Sequence, residues 1–206
     1  MVKVKICGMM DLRDALKAAE LGADMVGFVF FEKSPRRMDP DTARVIIEDL
    51  PNELLKVGLF LDQPVGEVRE TAKKCHLDII QLHGGESDAY CGELKKYFKI
   101  IKSFRVKDEE SLGNAEHYEN ADYYLFDKYV KGTPGGTGKT FDWSLLAGKS
   151  FSKPFFLAGG LNPGNVAEAI KKVAPYAVDI ASGVEKSPGK KEYKLLKEFI
   201  KNAKNA

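Results

Sequence analysis

The sequence predicts an α/β fold, a single (β/α)8 TIM barrel spanning residues 1–206, on three observations. Short apolar runs alternate with amphipathic segments from one end to the other, the pattern of consecutive parallel βαβ units. Eight such runs fit into 206 residues, the strand count and size of a compact closed barrel. Glycine-bearing turns follow runs one, four, seven and eight, at the end where barrels carry their chemistry.

The elements follow in order. The first strand is Lys3–Cys7, in which Val4 and Ile6 suit the helix layer and point Lys5 and Cys7 inward. A helix over Asp11–Leu21 leads to strand Met25–Phe30, helix Pro40–Asp49, strand Leu54–Leu61 and helix Val65–Lys74. Strand Ile79–His83, helix Ser87–Tyr97 and strand Ile100–Phe104 come next. Residues 107–121 are short and polar, so the helix there is degenerate. In strand Tyr123–Asp127, Tyr124 and Phe126 suit the helix side and turn Asp127 inward. Residues 128–141 are glycine-rich and form a long active-site loop. Strand Pro154–Ala158 precedes a helix over Asn162–Val173, with Asn162 as N-cap and Pro163 at the first helical position. Strand Ala177–Ala181 and a helix over Lys190–Asn202 finish the pattern. No domain boundary or low-complexity tract interrupts it. The alternative, a doubly wound open sheet, needs a glycine-rich fingerprint after the first strand, where only Gly8 stands.

Composition narrows the function. The 32 basic and 30 acidic residues leave a net charge of +2 without a single-sign block at either end, so no nucleic-acid partner is expected. No apolar run approaches 18 residues and no signal-peptide pattern opens the chain, so no membrane association is expected. Three cysteines at unrelated spacings, Cys7, Cys75 and Cys91, argue against a disulfide framework and fit a reducing cytoplasm. Plentiful Lys and Glu with scarce Gln hint at heat adaptation, which favours a homodimer.

Several motifs carry chemistry. Cys7-Gly8 ends strand one, offering a thiolate base or nucleophile at the barrel mouth against the alternative of an inert buried thiol. Arg36-Arg37 on the loop after strand two suits a bidentate anion clamp or a solvated pair. His83 ends strand four, as a substrate ligand, acid–base group or structural histidine. No pair of histidines has metal-ligand spacing, so no metal is expected. Gly138-Lys139-Thr140 mimics the end of a P-loop, but Thr133 stands where that motif needs glycine; the stretch reads instead as a lid whose amides, at Gly135 and Gly136, reach a phosphate. The strongest pair is Gly159-Gly160 after strand seven with Ser182-Gly183 after strand eight. Two glycine turns opening toward helix N-termini at this place form a phosphate site. Closure puts strand eight beside strand one, so Lys5 and Asp179 are expected to form an interior ion pair.

Taken in order, Lys5-Ile6-Cys7-Gly8, Ser34-Pro35-Arg36, Gln81-Leu82-His83-Gly84, Gly135-Gly136-Thr137-Gly138 with Phe141-Asp142-Trp143, Leu157-Ala158-Gly159-Gly160-Leu161, and Val178-Asp179 through Ser182-Gly183-Val184-Glu185 resemble the phosphoribosylanthranilate isomerase family across nearly the whole chain. The resemblance implies an Amadori rearrangement of a small-molecule sugar phosphate in tryptophan biosynthesis. It makes Cys7 the general base, Asp127 the general acid and Arg36 the partner of the anthranilate carboxylate. Met9-Met10, Phe126 and Lys128 depart from the family pattern outside the inferred chemistry. No cofactor is implied, because the iminium formed on ring opening is itself the electron sink. A thiolate at Cys7 requires nearby positive charge or helix N-termini to lower its pKa.

Two other readings stay open. Another phosphate-binding barrel enzyme, such as indole-glycerol-phosphate synthase or a histidine-pathway isomerase, would be expected to use a barrel lysine as acid or an aspartate where Cys7 stands. A non-catalytic sugar-phosphate-binding barrel would keep the glycine turns but needs neither Cys7 nor Asp127.

Overall fold

The computed structural model describes residues 1–128 and 142–206. Eight parallel strands close into a barrel in chain order: β1 (Lys3–Cys7), β2 (Met25–Val29), β3 (Leu55–Phe60), β4 (Ile79–Leu82), β5 (Lys99–Val106), β6 (Tyr123–Lys128), β7 (Phe155–Leu157) and β8 (Ala177–Ile180). Closure pairs β1 with β8, setting Lys5 beside Asp179 and Ile6 beside Ile180. The helices are α1 (Leu12–Glu20), α2 (Pro40–Glu48), α3 (Val65–Lys74), α4 (Asp88–Lys95), α5 (Glu109–Gly113), α6 (Val166–Val173) and α7 (Tyr193–Lys204).

Strand parity divides the apolar residues into two cores. Val4, Ile6, Phe28, Ile80, Tyr124 and Phe126 face the helices. Met25, Val57, Ile79, Ile101, Leu125, Phe156, Ala158 and Ala177 fill the barrel. Each large side chain removed from water contributes roughly 1.5–3 kcal/mol. Further along β1, β4, β5, β6 and β8 the inward positions turn polar: Lys5, Gln81, Ser103, Asp127 and Asp179. The interior therefore changes from hydrocarbon to charge toward the C-terminal ends of the strands.

The helix layer is thin between β5 and β7. The segment after β5 holds only the five-residue α5 and a 3-10 turn, as its polarity predicts, and the described residues after β6 hold one 3-10 turn, Trp143–Leu145. Aromatic rings cover the sheet there instead. Phe104 packs edge-on to Tyr118 and Tyr124, and Phe126 meets Phe151 and Phe155. Such rings bury large areas without a long helix to carry them.

Two helix starts differ from expectation. The last helix begins at Tyr193 rather than Lys190, because Lys190–Lys191 (β10) pairs antiparallel with Glu185–Ser187 (β9). Tertiary bonds hold that hairpin: the Lys191 N–H donates to the buried Asp14 carboxylate at 2.9 Å. Helix α6 begins at Val166, with Asn165 rather than Asn162 at the cap position. Asn162 accepts from the Gly164 N–H, making a tight turn, while Asn165 Nδ2 donates to Gly160 O and so pins the preceding turn. Among the described residues no helix is long and apolar enough to cross a membrane.

Candidate active site

Cys7 and Lys5 project from β1 toward β2, where Gly27 leaves them room. A Cβ on Gly27 would lie 2.8 Å from Cys7 Sγ and 3.1 Å from Lys5 Nζ. Lys5 is fully buried and donates to Asp179 Oδ1 at 2.8 Å, the interior pair that strand parity predicts. Burial works to lower the Lys5 pKa, but Asp179 and Cys7 together outweigh it and hold the ammonium charged. Cys7 responds the other way. Its burial raises the thiol pKa, and the opposing hydrogen bond and charge of Lys5, with the charge of Lys191, do not bring it back. The expected lowering is therefore absent: desolvation of the thiolate exceeds the help it receives from neighbouring cations.

Asp127, next to last in β6, accepts the Lys128 N–H on its Oδ1 at 2.7 Å. Its Oδ2 lies 3.4 Å from His83 Nε2. His83 Nδ1 in turn lies 3.1 Å from Gln81 Nε2. With the Gln81 amide donating, Nδ1 is an acceptor and Nε2–H faces Asp127. Gln81 on β4 and His83 just past its end are two residues apart and keep the strand's inward alternation, so this contact was available from the spacing alone. Both are buried, and His83 is a partner of Asp127 rather than an isolated ring.

The turns after β7 and β8 meet at a small cleft of about 60 Å³ bordered by Asp127, Gly159, Gly160, Asp179, Ser182 and Gly183. Gly159 and Gly160 have φ of +82° and +72°, the left-handed region that glycine enters without steric cost. A Cβ on Gly159 would also lie 2.7 Å from the Lys128 N and 2.8 Å from Asp127 Oδ1. Gly183 serves a different need. Its missing Cβ makes room for Leu161 O, 2.1 Å from where it would stand, so it packs one turn against the other. Gly135 and Gly136, with the lid and the Gly138-Lys139-Thr140 stretch, lie outside the described residues.

Arg36 crosses above the end of β1. Gly8, at φ +76°, has no Cβ where Arg36 Cδ would be 2.5 Å away, so its missing side chain makes room for this one. The guanidinium forks onto Glu185, with Nη2 2.6 Å from Oε2 and Nε 3.0 Å from Oε1. Arg37, by contrast, is exposed. Glu185, Gln81 and Lys191 carry site contacts that the sequence reading left without a role. Glu185 lies inside a motif already singled out, whereas Lys191 meets Cys7 O across 184 positions, a contact no local signal announces. Among the described residues no cluster of three His, Cys, Asp or Glu side chains offers a metal site.

Residues 4–202 match the family model described as N-(5′-phosphoribosyl)anthranilate (PRA) isomerase. An N-(5′-phosphoribosyl)anthranilate isomerase of Geobacter sp. strain M21 is 50% identical over 204 residues, covering 99% of this chain and 98% of the relative. The crystal structure of phosphoribosyl anthranilate isomerase from Thermotoga maritima superposes with a TM-score of 0.94 at 41% identity over the whole of both chains. A second phosphoribosyl anthranilate isomerase structure, solved in complex with reduced 1-(o-carboxyphenylamino)-1-deoxyribulose 5-phosphate, superposes at 0.89 with 39% identity, again over both chains entire. A thiol and a carboxylic acid at the strand ends, an arginine fork and open glycine turns on one mouth thus coincide with full-length likeness in sequence and fold, and the chain belongs to the N-(5′-phosphoribosyl)anthranilate isomerase family.

Proposed function

We propose that this chain is the isomerase of tryptophan biosynthesis that converts N-(5′-phosphoribosyl)anthranilate into 1-(2-carboxyphenylamino)-1-deoxyribulose 5-phosphate. The observation that carries this reading is the mouth of the barrel, where Asp127 and Asp179 border the same cleft as the glycine turns and Asp179 holds Lys5 beside Cys7.

Asp127, held by His83, gives a proton to the ribose ring oxygen as the C1′–O bond breaks and the anilino nitrogen lone pair forms the iminium. Cys7 as thiolate then removes the C2′ proton, and that electron pair neutralises the iminium to give an enolamine. Tautomerisation yields the ketone. Lys5 stabilises the thiolate when it forms, since its ammonium is already fixed against the sulfur. The amides at Gly159, Gly160, Ser182 and Gly183 bind the phosphate, and Arg36 takes the anthranilate carboxylate. Gly135 and Gly136 belong to the same proposal for the phosphate. A single barrel domain, a homodimer and a cytoplasmic location complete it. The dimer is in keeping with a T. maritima relative described as dimeric, and the location with three free cysteines.

The test is a steady-state fluorescence assay on freshly made phosphoribosylanthranilate. Loss of substrate fluorescence in proportion to enzyme, with the ketose as product, is the expected result. Binding of sugar phosphate without turnover would instead support a non-catalytic barrel.

A further inference from the structure

Glu185 follows the β8 turn, yet its side chain does not border the cleft there. It is buried, 3% exposed, against an Arg36 side chain that is itself only 14% exposed. Arg36 Nε lies 3.0 and 3.1 Å from the two Glu185 oxygens and Nη2 2.6 Å from one of them. A guanidinium has five N–H donors in a rigid plane. Glu185 occupies the Nε–Nη2 edge and leaves the Nη1 side for a second anion.

Glu185 is held in turn from the far side. Lys191 Nζ, fully buried, donates to Glu185 Oε1 at 2.9 Å and to Cys7 O at 2.5 Å. The Gly189 N–H donates to the same Oε1 at 3.2 Å. Gly189 has φ +77° and would collide with Met10 if it carried a Cβ, so the hairpin of β9 and β10 is fitted to this place. Arg36 and Lys191 keep Glu185 ionised against the effect of its own burial. The result is one chain of charge, from Arg36 through Glu185 and Lys191 to the carbonyl of Cys7.

We propose that Glu185 is a positioning residue for Arg36, and that Lys191 ties this clamp to the end of β1. The clamp stays closed when substrate binds, presenting the free edge of the guanidinium to the anthranilate carboxylate at a fixed place relative to Cys7. A long, flexible arginine is ordered in advance, so the substrate does not meet that entropic cost. The inference rests on the reading of Arg36 given above.

The test compares two substrates, phosphoribosylanthranilate and its phosphoribosylaniline analogue, which lacks the carboxylate. Glu185→Gln keeps size and removes charge. With phosphoribosylanthranilate it raises KM by about tenfold to a hundredfold, the scale of one charged hydrogen bond, with kcat little changed. With the analogue its kcat/KM stays near the wild-type value. Glu185→Asp keeps the charge but draws it back, and gives the same substrate-selective loss, smaller in size; it decides the matter if the Gln variant does not fold. In an Arg36→Met background, Glu185→Gln adds nothing further. Equal losses on both substrates, or no change on either, overturn the proposal. If Arg36→Met alone depresses both substrates equally, the reading of Arg36 itself fails. If Arg36→Met is selective and Glu185→Gln is not, only the role of Glu185 fails.

Discussion

Two glycine pairs end strands on the same face of this barrel, Gly84-Gly85 after β4 and Gly159-Gly160 after β7, and their amides meet opposite fates. After β4 the protein supplies its own anions. The Gly84 N–H donates to both Glu86 oxygens at 3.1 and 3.0 Å, and the Gly85 N–H to Asp62 Oδ1 at 2.6 Å. A Cβ on Gly84 would lie 2.3 Å from the Asp62 carboxylate, so the glycine is there to admit an internal carboxylate. Glu86 is locked further by Lys102 at 3.0 Å, both side chains being 2% exposed. After β7, among the described residues, the Gly159 and Gly160 N–H groups meet no carboxylate, and they border a cleft. Paired glycines thus do not by themselves mark an anion site. What marks it is whether the backbone donors they expose are already satisfied.

The comparison is sharpened first at the open turn, where the largest effects are expected. Gly159 stands against Asp127, and Asp127→Asn removes the proposed acid. It and Cys7→Ser each lower kcat by at least about 10²–10⁴ while folding and phosphate binding persist. The double variant loses less than the product of the single losses. Burial raises the Cys7 pKa, so its thiolate forms less readily than an ordinary thiol's; wild-type kcat/KM rises with pH as Cys7 ionises and falls as Asp127 loses the proton it must donate. Single-turnover kinetics with substrate deuterated at C2′ checks both points. Near wild-type turnover by Cys7→Ser would pass the role of base to another residue, with His83 next in line.

The closed turn should show the reverse, a large effect on stability with a small one on catalysis. Glu86→Gln leaves the buried Lys102 ammonium without its carboxylate, at a cost of about 3–5 kcal/mol in unfolding free energy. Denaturant titration measures that loss. Its kcat/KM stays close to wild type, and a large kinetic defect would mean that the β4 turn takes part in substrate binding.

The smallest expected effects come from the glycines themselves. Gly159→Ala carries a strain of about 1–2 kcal/mol at its positive φ and crowds the Lys128 N–H. It raises KM and reduces the thermal protection given by inorganic phosphate. Gly85 has no positive φ, and a Cβ there would meet only Asp62 Oδ1 at an ordinary 3.7 Å, so Gly85→Ala changes neither KM nor that protection. If the two alanine variants behave alike, the contrast between the turns is wrong.

What the sequence decided by itself is what local pattern can encode. Alternation along β1 and β6 put Val4, Ile6, Tyr124 and Phe126 outward and Lys5, Cys7 and Asp127 inward, since a strand repeats every two residues whatever surrounds it. Closure of eight strands then made Lys5 and Asp179 neighbours. The degenerate helix after β5 was legible from its polarity. Only the tertiary structure decided which charges meet across long separations. Lys191 reaches Cys7 O, Arg36 meets Glu185, and Asp62 fills the β4 turn. The same holds for the Cys7 pKa, which follows from the balance of burial against neighbouring charge. It holds too for the late start of α7, where Lys191 leaves the helix for a buried bond to Asp14. Spacing fixes the direction in which a side chain leaves the backbone, but its partner is set by the surfaces that folding brings against it, and in this barrel those come from the opposite end of the chain.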